Sequence, residues 1–309
     1  VTATLTDSSI SSGSQRFATP EVNVPDSYRP SIRLRRVART LREWRVPTGL
    51  QSGEVAAKAG WSTAKQSRLE NATQPITPAD VMTLALLYDI AEPVRDKVFR
   101  ATLAAQERGW WEQIEKEALA EDVLSYVELE SEASKVLSFK IDLIDGLLQT
   151  AEYTAAIARS ALPHVSEELV QHRVEARMKR QSRVEDGDPI QIAAVMTEAA
   201  LRLTVGGPGV MRRQLGRLVS LSTLPNVDLR VICSGSGAYP AMGTPFSILS
   251  FANQESDVGY IEMANKGVYL EEAEDIERYT LNFAGLQEVA LSPKDSIELI
   301  STIGSSLED

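Results

Sequence analysis

The chain has 309 residues, 43% of them apolar, and a formal net charge of −11, a length that accommodates one small domain and one larger one. No stretch approaches the ~18 consecutive apolar residues of a membrane span. A single cysteine, Cys233, excludes an intrachain disulfide and fits a reducing cytoplasm, and with only two histidines, His164 and His172, a zinc site of the usual Cys/His type is not available.

Residues 1–30 carry Ser, Thr, Pro and Asp without an apolar segment. They read as a disordered arm and not as a secretory signal, and Val1 in place of Met suggests an alternative start codon or trimming. Leu34, Val37, Ala38 and Leu41 then recur at helical spacing and predict a first helix over 32–45, ended by Pro47 and Gly49. A second helix starts near Gln51 and buries Val55, Ala56 and Ala59. Gly60 supplies the positive φ that closes it, and Ser62 caps a third. Asn71 to Gln74 form a turn. Thr77 caps a fourth helix with Pro78 at its first position and Val81, Leu84, Ala85 and Tyr88 on its face. Pro93 opens a fifth, with Val94, Val98 and Leu103 inward.

Five short helices over 31–108 make a bundle whose second and third helices are a helix–turn–helix, the arrangement that lays its second helix in the DNA major groove. The charge agrees once it is localised. Ser31 to Asn71 hold nine Lys and Arg against three Glu, a net of +6, so the rest of the chain holds −17. A basic module on an acidic body is the footprint of local phosphate binding, and the acidic body suits a basic protein partner.

The N-terminal and outward positions of the third helix are the candidate DNA contacts. Arg68 can pair with guanine O6 and N7 or clamp a phosphate; Thr63 and Ala64 can meet base edges or a thymine methyl. Lys65 and Asn71 suit phosphate, and Gln51, Ser52 and Ser62 suit backbone positioning. Gln66 falls partly inward by its spacing with Leu69 and Ala59. Either it turns outward onto DNA or it bonds to backbone inside, since a buried unbonded amide costs ~1–3 kcal/mol. Glu70 reads as bonding within the domain, because phosphate repels it.

Gly109-Trp110-Trp111 marks the domain boundary, with the tryptophans packing the junction in preference to lining a ligand pocket. The second domain, 109–309, mixes helices and strands. An apolar and acidic helix is predicted over 126–138, a helix over 151–161 capped by Thr150, and a longer one capped by Ser166 with Glu167 and Glu168 in its first turn. Strands are predicted over 190–196, 227–233, 245–251 and 258–263, with a helix after the Gly206-Gly207-Pro208 turn, an acidic helix over 272–289 and a last helix from Pro293. Arg173, Arg177, Arg180 and Arg183 step along one helix and suit a phosphate or acidic partner less well than a solvated, salt-bridged face. Gly206-Gly207-Pro208-Gly209 lacks the Lys-Ser/Thr ending of a phosphate loop and the spacing of a dinucleotide motif, so no cofactor is expected. Ser234-Gly235-Ser236-Gly237 reads as a loop, and Glu198 and Glu262 have nothing that pairs them as acid and base. No enzymatic constellation emerges.

Residues 32–105 resemble the Xre/lambda-repressor-like helix–turn–helix family through Gln51, Val55-Ala56, Gly60-Trp61-Ser62 and Ser67-Arg68-Leu69-Glu70-Asn71. The remainder resembles the C-terminal domain of WhiJ-type regulators of actinobacteria such as Streptomyces. The strings that carry this are Gly109-Trp110-Trp111, Tyr126-Val127-Glu128-Leu129-Glu130, Gly146 to Tyr153, Leu224-Pro225-Asn226-Val227 and Tyr269-Leu270-Glu271. The resemblance implies a cytoplasmic transcriptional regulator, commonly encoded beside a small partner protein and discussed as part of toxin–antitoxin-like pairs. It matches Thr63, Ala64 and Arg68 to base-facing positions and Gln51, Ser62, Lys65 and Asn71 to phosphate-facing ones. Gln66, where the family usually has Val, and Gly53 within helix two depart from the pattern. The expectation is a homodimeric regulator of double-stranded DNA whose second domain binds a small protein or effector. The alternative is a partner-binding protein of a toxin–antitoxin-like module in which DNA binding is autoregulation.

Overall fold

Ser31 opens the first helix, α1 (Ile32–Arg45), by accepting the Leu34 N–H. The computed structural model describes residues 28, 30–106, 109–114, 119–161, 165–252, 256–263 and 266–308; the predicted N-terminal arm lies almost wholly outside them. The chain divides into two compact units, 1–105 and 106–309.

The first unit contains α1, α2 (Ser52–Ala59), α3 (Thr63–Glu70), α4 (Pro78–Leu87) and α5 (Glu92–Ala104). Its core gathers the predicted stripe of α1 with Val55, Leu69, Ile76, Val81, Leu84, Ala85, Tyr88 and Val98. Thr77 and Asp80 form a reciprocal cap at α4, where Pro78 has no N–H to satisfy. Three expected core positions are not in it. Val94 and Leu103 are exposed because α5 turns a narrower stripe inward, centred on Val98 and Thr102, and Ala59 at the end of α2 is only half-buried.

The second unit is α+β. A six-stranded sheet runs in the order β3-β2-β1-β4-β5-β6, from β1 (Ala133–Lys140), β2 (Gln191–Thr197), β3 (Val227–Ile232), β4 (Phe246–Phe251), β5 (Val258–Glu262) and β6 (Gly267–Leu270). β1, β2 and β3 are parallel neighbours, while β4, β5 and β6 continue from β1 as an antiparallel meander. The helices are α6 (Glu121–Glu132), α7 (Ala151–Ala161), α8 (Glu167–Glu185), the short α9 (Glu198–Arg202), α10 (Pro208–Leu221), α11 (Ala273–Val289) and α12 (Pro293–Ser305).

The helix predicted over 126–138 is therefore corrected. It ends at Glu132, and Ala133–Lys140 becomes the central strand, where Val136 and Phe139 are buried between β2 and β4. The edge strand β6 was not foreseen. One sheet face buries Phe139, Phe246 and Ile248 against Phe283 and Leu286 of α11.

The loop after β1 is held by three buried glutamines. Gln149 Nε2 donates to the Ile144 carbonyl, and Gln181 Nε2 donates to the carbonyls of Gly146 and Gln149. Gln214 takes the Thr150 N–H at 2.6 Å and donates to Leu148. Each satisfies backbone groups that no ladder reaches.

Candidate nucleic-acid interface

Gly60 sits at φ +70°, where an L side chain is strained, and lets Trp61 N–H return to the Ala56 carbonyl at 2.8 Å. α2 is thereby stopped and α3 started two residues later. Ser62 Oγ caps α3 by accepting the Lys65 N–H at 3.1 Å. At the head of α2, Gln51 N–H donates to Glu54 Oε2 at 2.8 Å, leaving Gln51 exposed and Ser52 half-buried. Gly53 lies where a Cβ would meet Thr63 Oγ1 at 3.9 Å, an ordinary contact, so this departure from the family pattern reflects no steric demand.

Thr63, Ala64, Ser67, Arg68 and Asn71 are exposed along one side of α3 and its C-cap, with Ser62 exposed ahead of them. Arg68 Nε donates to Gln74 Oε1 at 2.8 Å, which orients the guanidinium while its two Nη groups make no further hydrogen bond among the described residues. Asn71 Nδ2 donates to the Ser67 carbonyl at 2.7 Å. Gln74 had no signal in the sequence beyond its place in a turn.

Two candidates are placed differently. Gln66 is fully buried, so the inward alternative holds and it leaves the set of DNA-facing residues. Its Nε2 donates to Glu70 Oε1 at 2.7 Å and to the Tyr88 hydroxyl at 3.4 Å, side-chain partners in place of backbone ones. Lys65 is half-buried, with Nζ 2.8 Å from Asp80 Oδ1 and 4.2 Å from the Trp61 ring centroid. It ties α3 to α4, and reaching a phosphate requires it to leave that pair.

Beneath the exposed side lies a buried hub. Glu70 accepts from Arg45 Nε at 2.7 Å and Arg45 Nη2 at 2.9 Å, and Arg45 Nη1 donates to the Leu50 carbonyl at 3.0 Å. The end of α1, the α1–α2 connection, α3 and the end of α4 meet at this one carboxylate. Burial, with the Glu70 charge beside it, pushes the Tyr88 phenol up to about 12, and the Glu70 hydrogen bond raises the Arg45 guanidinium further above its ordinary range.

The basic surplus is thus partly spent on internal structure. Arg33 is buried and donates to the Ala104 carbonyl, Arg45 is in the hub, and Lys65 is paired. Arg35, Arg42, Lys58 and Arg68 are the exposed members.

In the second unit, Trp110 stands edge-on to Trp111 and under Lys179 Nζ, and it lines a small recess with Val127, Leu147 and Arg183. The arginine stripe of α8 is not the solvated face expected of it. Arg180 pairs with Glu130 through two 2.7 Å bonds, both side chains under a tenth exposed, and Arg183 donates to the carbonyls at the end of α6. Glu198 accepts the Ser234 N–H and pairs with Arg202, and both hold its carboxyl below the usual range, as a carboxylate and not an acid. Among the described residues no group of His, Cys, Asp and Glu is arranged to hold a metal ion, and no helix is long and apolar enough to cross a membrane.

A family model described as a helix-turn-helix domain matches residues 34–98, and one described as a domain of unknown function, DUF5753, matches residues 123–302. Comparison with curated proteins and with solved structures returned no match.

Proposed function

For a chain that belongs to the DUF5753 family and carries a helix-turn-helix domain ahead of it, we propose a sequence-specific DNA-binding transcriptional regulator whose acidic second unit receives the regulatory signal. The observation that carries the reading is the exposed row Thr63, Ala64, Ser67, Arg68 and Asn71 on the second helix of the helix-turn-helix. Arg68 is the base-reading residue, with a fork suited to guanine. Thr63 and Ala64 flank it at the base edges. Ser62, Asn71, Gln51 and Ser52 position the backbone. Lys65 joins them only by exchanging Asp80 for phosphate.

An eight-residue helix reaches few base pairs, so the proposal includes a homodimer on a roughly palindromic site, its two reading helices about one DNA turn, ~34 Å, apart. It also includes regulation of the WhiJ kind, with an effector or small protein engaging the second unit. The −17 carried outside residues 31–71 supports that division, since an acidic body is repelled by the duplex that the basic module binds.

The test is binding of the full-length protein to its own promoter DNA and to random DNA across a salt series. Preference for the promoter, weakening with salt, supports the reading, and Arg68→Ala is expected to lose ~1–3 kcal/mol of discrimination. Equal affinity for random DNA, or an Arg68→Ala protein with undiminished operator affinity, refutes it.

A further inference from the structure

On α8, Arg180 and Arg183 are held by hydrogen bonds, but Arg177 between Arg173 and Arg180 is not. Among the described residues it makes no hydrogen bond and no ion pair. Its Nη1 rests on the backbone of Gly146, where a built Cβ would collide with it, and Arg180 Nη2 lies over the same glycine. The side chain is crowded by protein yet still partly open to solvent. Its pKa is lowered to about 10, by burial first and then by the like charge of Arg180, with Glu262, Glu130 and Asp145 opposing. A guanidinium that loses water and gains no hydrogen-bond partner is unfavourable, and proteins keep such groups where a ligand completes them.

The charges that reach Arg177 include those of Glu262, at the end of β5, and of Asp145, which accepts from Ser138 on β1, and beside them the sheet carries a polar row. Ser138, Ser247, Tyr260 and Tyr269 are register neighbours on β1, β4, β5 and β6 and so share one face. The Tyr260 ring lies 4.6 Å from Tyr126 of α6 and 5.1 Å from Tyr269. Ser247 Oγ is buried without a hydrogen bond of good geometry, although it lies close enough to Tyr126 to oppose slightly the burial that raises that phenol. A guanidinium without a hydrogen bond, a buried hydroxyl without one of good geometry and a row of tyrosines thus belong to neighbouring parts of α8 and the sheet.

We infer that this face binds a small monocarboxylate with an apolar or aromatic body, its carboxylate held by the planar fork of Arg177 and the Ser247 hydroxyl, its body against Tyr260 and Tyr269. The charges of three carboxylates reach the guanidinium, Glu130 and Asp145 engaged by Arg180 and Ser138 and Glu262 exposed, and they oppose a dianion such as phosphate more than a monoanion. The inference deepens the effector half of the proposed function and rests on it, but it is read on the protein without DNA, so either can fail alone.

The experiment is titration calorimetry of the full chain with benzoate, acetate and inorganic phosphate, alongside Arg177→Met, Arg177→Lys and thermal unfolding of each variant without ligand. Saturable binding of benzoate, weaker binding of acetate and at least a tenfold loss in Arg177→Met are expected, with Arg177→Lys in between. Ligand-free Arg177→Met should unfold at or above the wild-type temperature, since it loses a desolvated, unpaired charge. No saturable benzoate binding, tighter binding of phosphate than of benzoate, or a markedly lower unfolding temperature in Arg177→Met would each overturn the assignment, the last by making Arg177 a structural residue.

Discussion

Replacing Glu70 by alanine removes the carboxylate that Arg45 of α1 and Gln66 of α3 share. Arg45 loses two bonds, of 2.7 and 2.9 Å, and keeps only the Leu50 carbonyl; buried Gln66 loses its 2.7 Å acceptor and keeps only Tyr88 at 3.4 Å. Breaking a buried pair by removing one partner costs about 3–5 kcal/mol. Here the Arg45 side chain is 16% exposed against 6% for Glu70, so water recovers part of the loss and the lower end applies. The stranded Gln66 amide adds about 1 kcal/mol. A total near 4 kcal/mol corresponds to several hundredfold faster opening of this unit where it opens as a whole. Hydrogen–deuterium exchange of the full-length protein reads this directly in peptides covering 63–70, with peptides of the second unit as the internal reference. Glu70→Gln, which keeps an acceptor for Gln66, should lie between. Exchange in 63–70 within threefold of wild type for Glu70→Ala would refute the view that this carboxylate braces α3.

Gly53→Ala should stabilise the first unit by about 0.5 kcal/mol, because the added methyl meets only an ordinary contact and the unfolded chain loses freedom; a lowered denaturation midpoint would contradict this. Tyr88 makes the first unit sensitive to alkali. Its folded pKa of about 12 exceeds the ordinary 10, so the neutral form is favoured on folding. That stability is complete below pH 10 and is lost as pH rises from 10 through 12. Tyr88→Phe should flatten this part of the curve of denaturation midpoint against pH, and an unchanged loss would assign the effect elsewhere.

The helices of the first unit were legible because their ends are marked locally. Gly60, Ser62, Thr77 and Pro78 each act on donors within four residues, and the apolar stripe of α1 is uninterrupted. What joins them was not legible. Arg45 and Glu70 are 25 positions apart, and nothing in either residue names the other. Spacing placed Gln66 inward, but only its neighbours Glu70 and Tyr88 decide what a buried amide does there. Counting charge gave the sign of the module but not its distribution, since Arg33, Arg45 and Lys65 are consumed by internal partners. In the second unit the error at 126–138 came from a helix running directly into a strand, with no Gly or Pro between Glu132 and Ala133. The Arg177 face is assembled from α6, α8 and three or more strands, which no local pattern brings together.

The central position of β1 sets a timetable for the chain. β1 needs β2, some fifty residues later, on one side and β4, more than a hundred residues later, on the other. The first unit is compact within residues 1–105. During synthesis from the N-terminus, the DNA-reading module can therefore mature while the sheet of the second unit still lacks half its strands. Ribosome-bound chains stopped soon after residue 105 has emerged should hold a folded module, whereas protection of β1 should wait until the chain has passed Phe251.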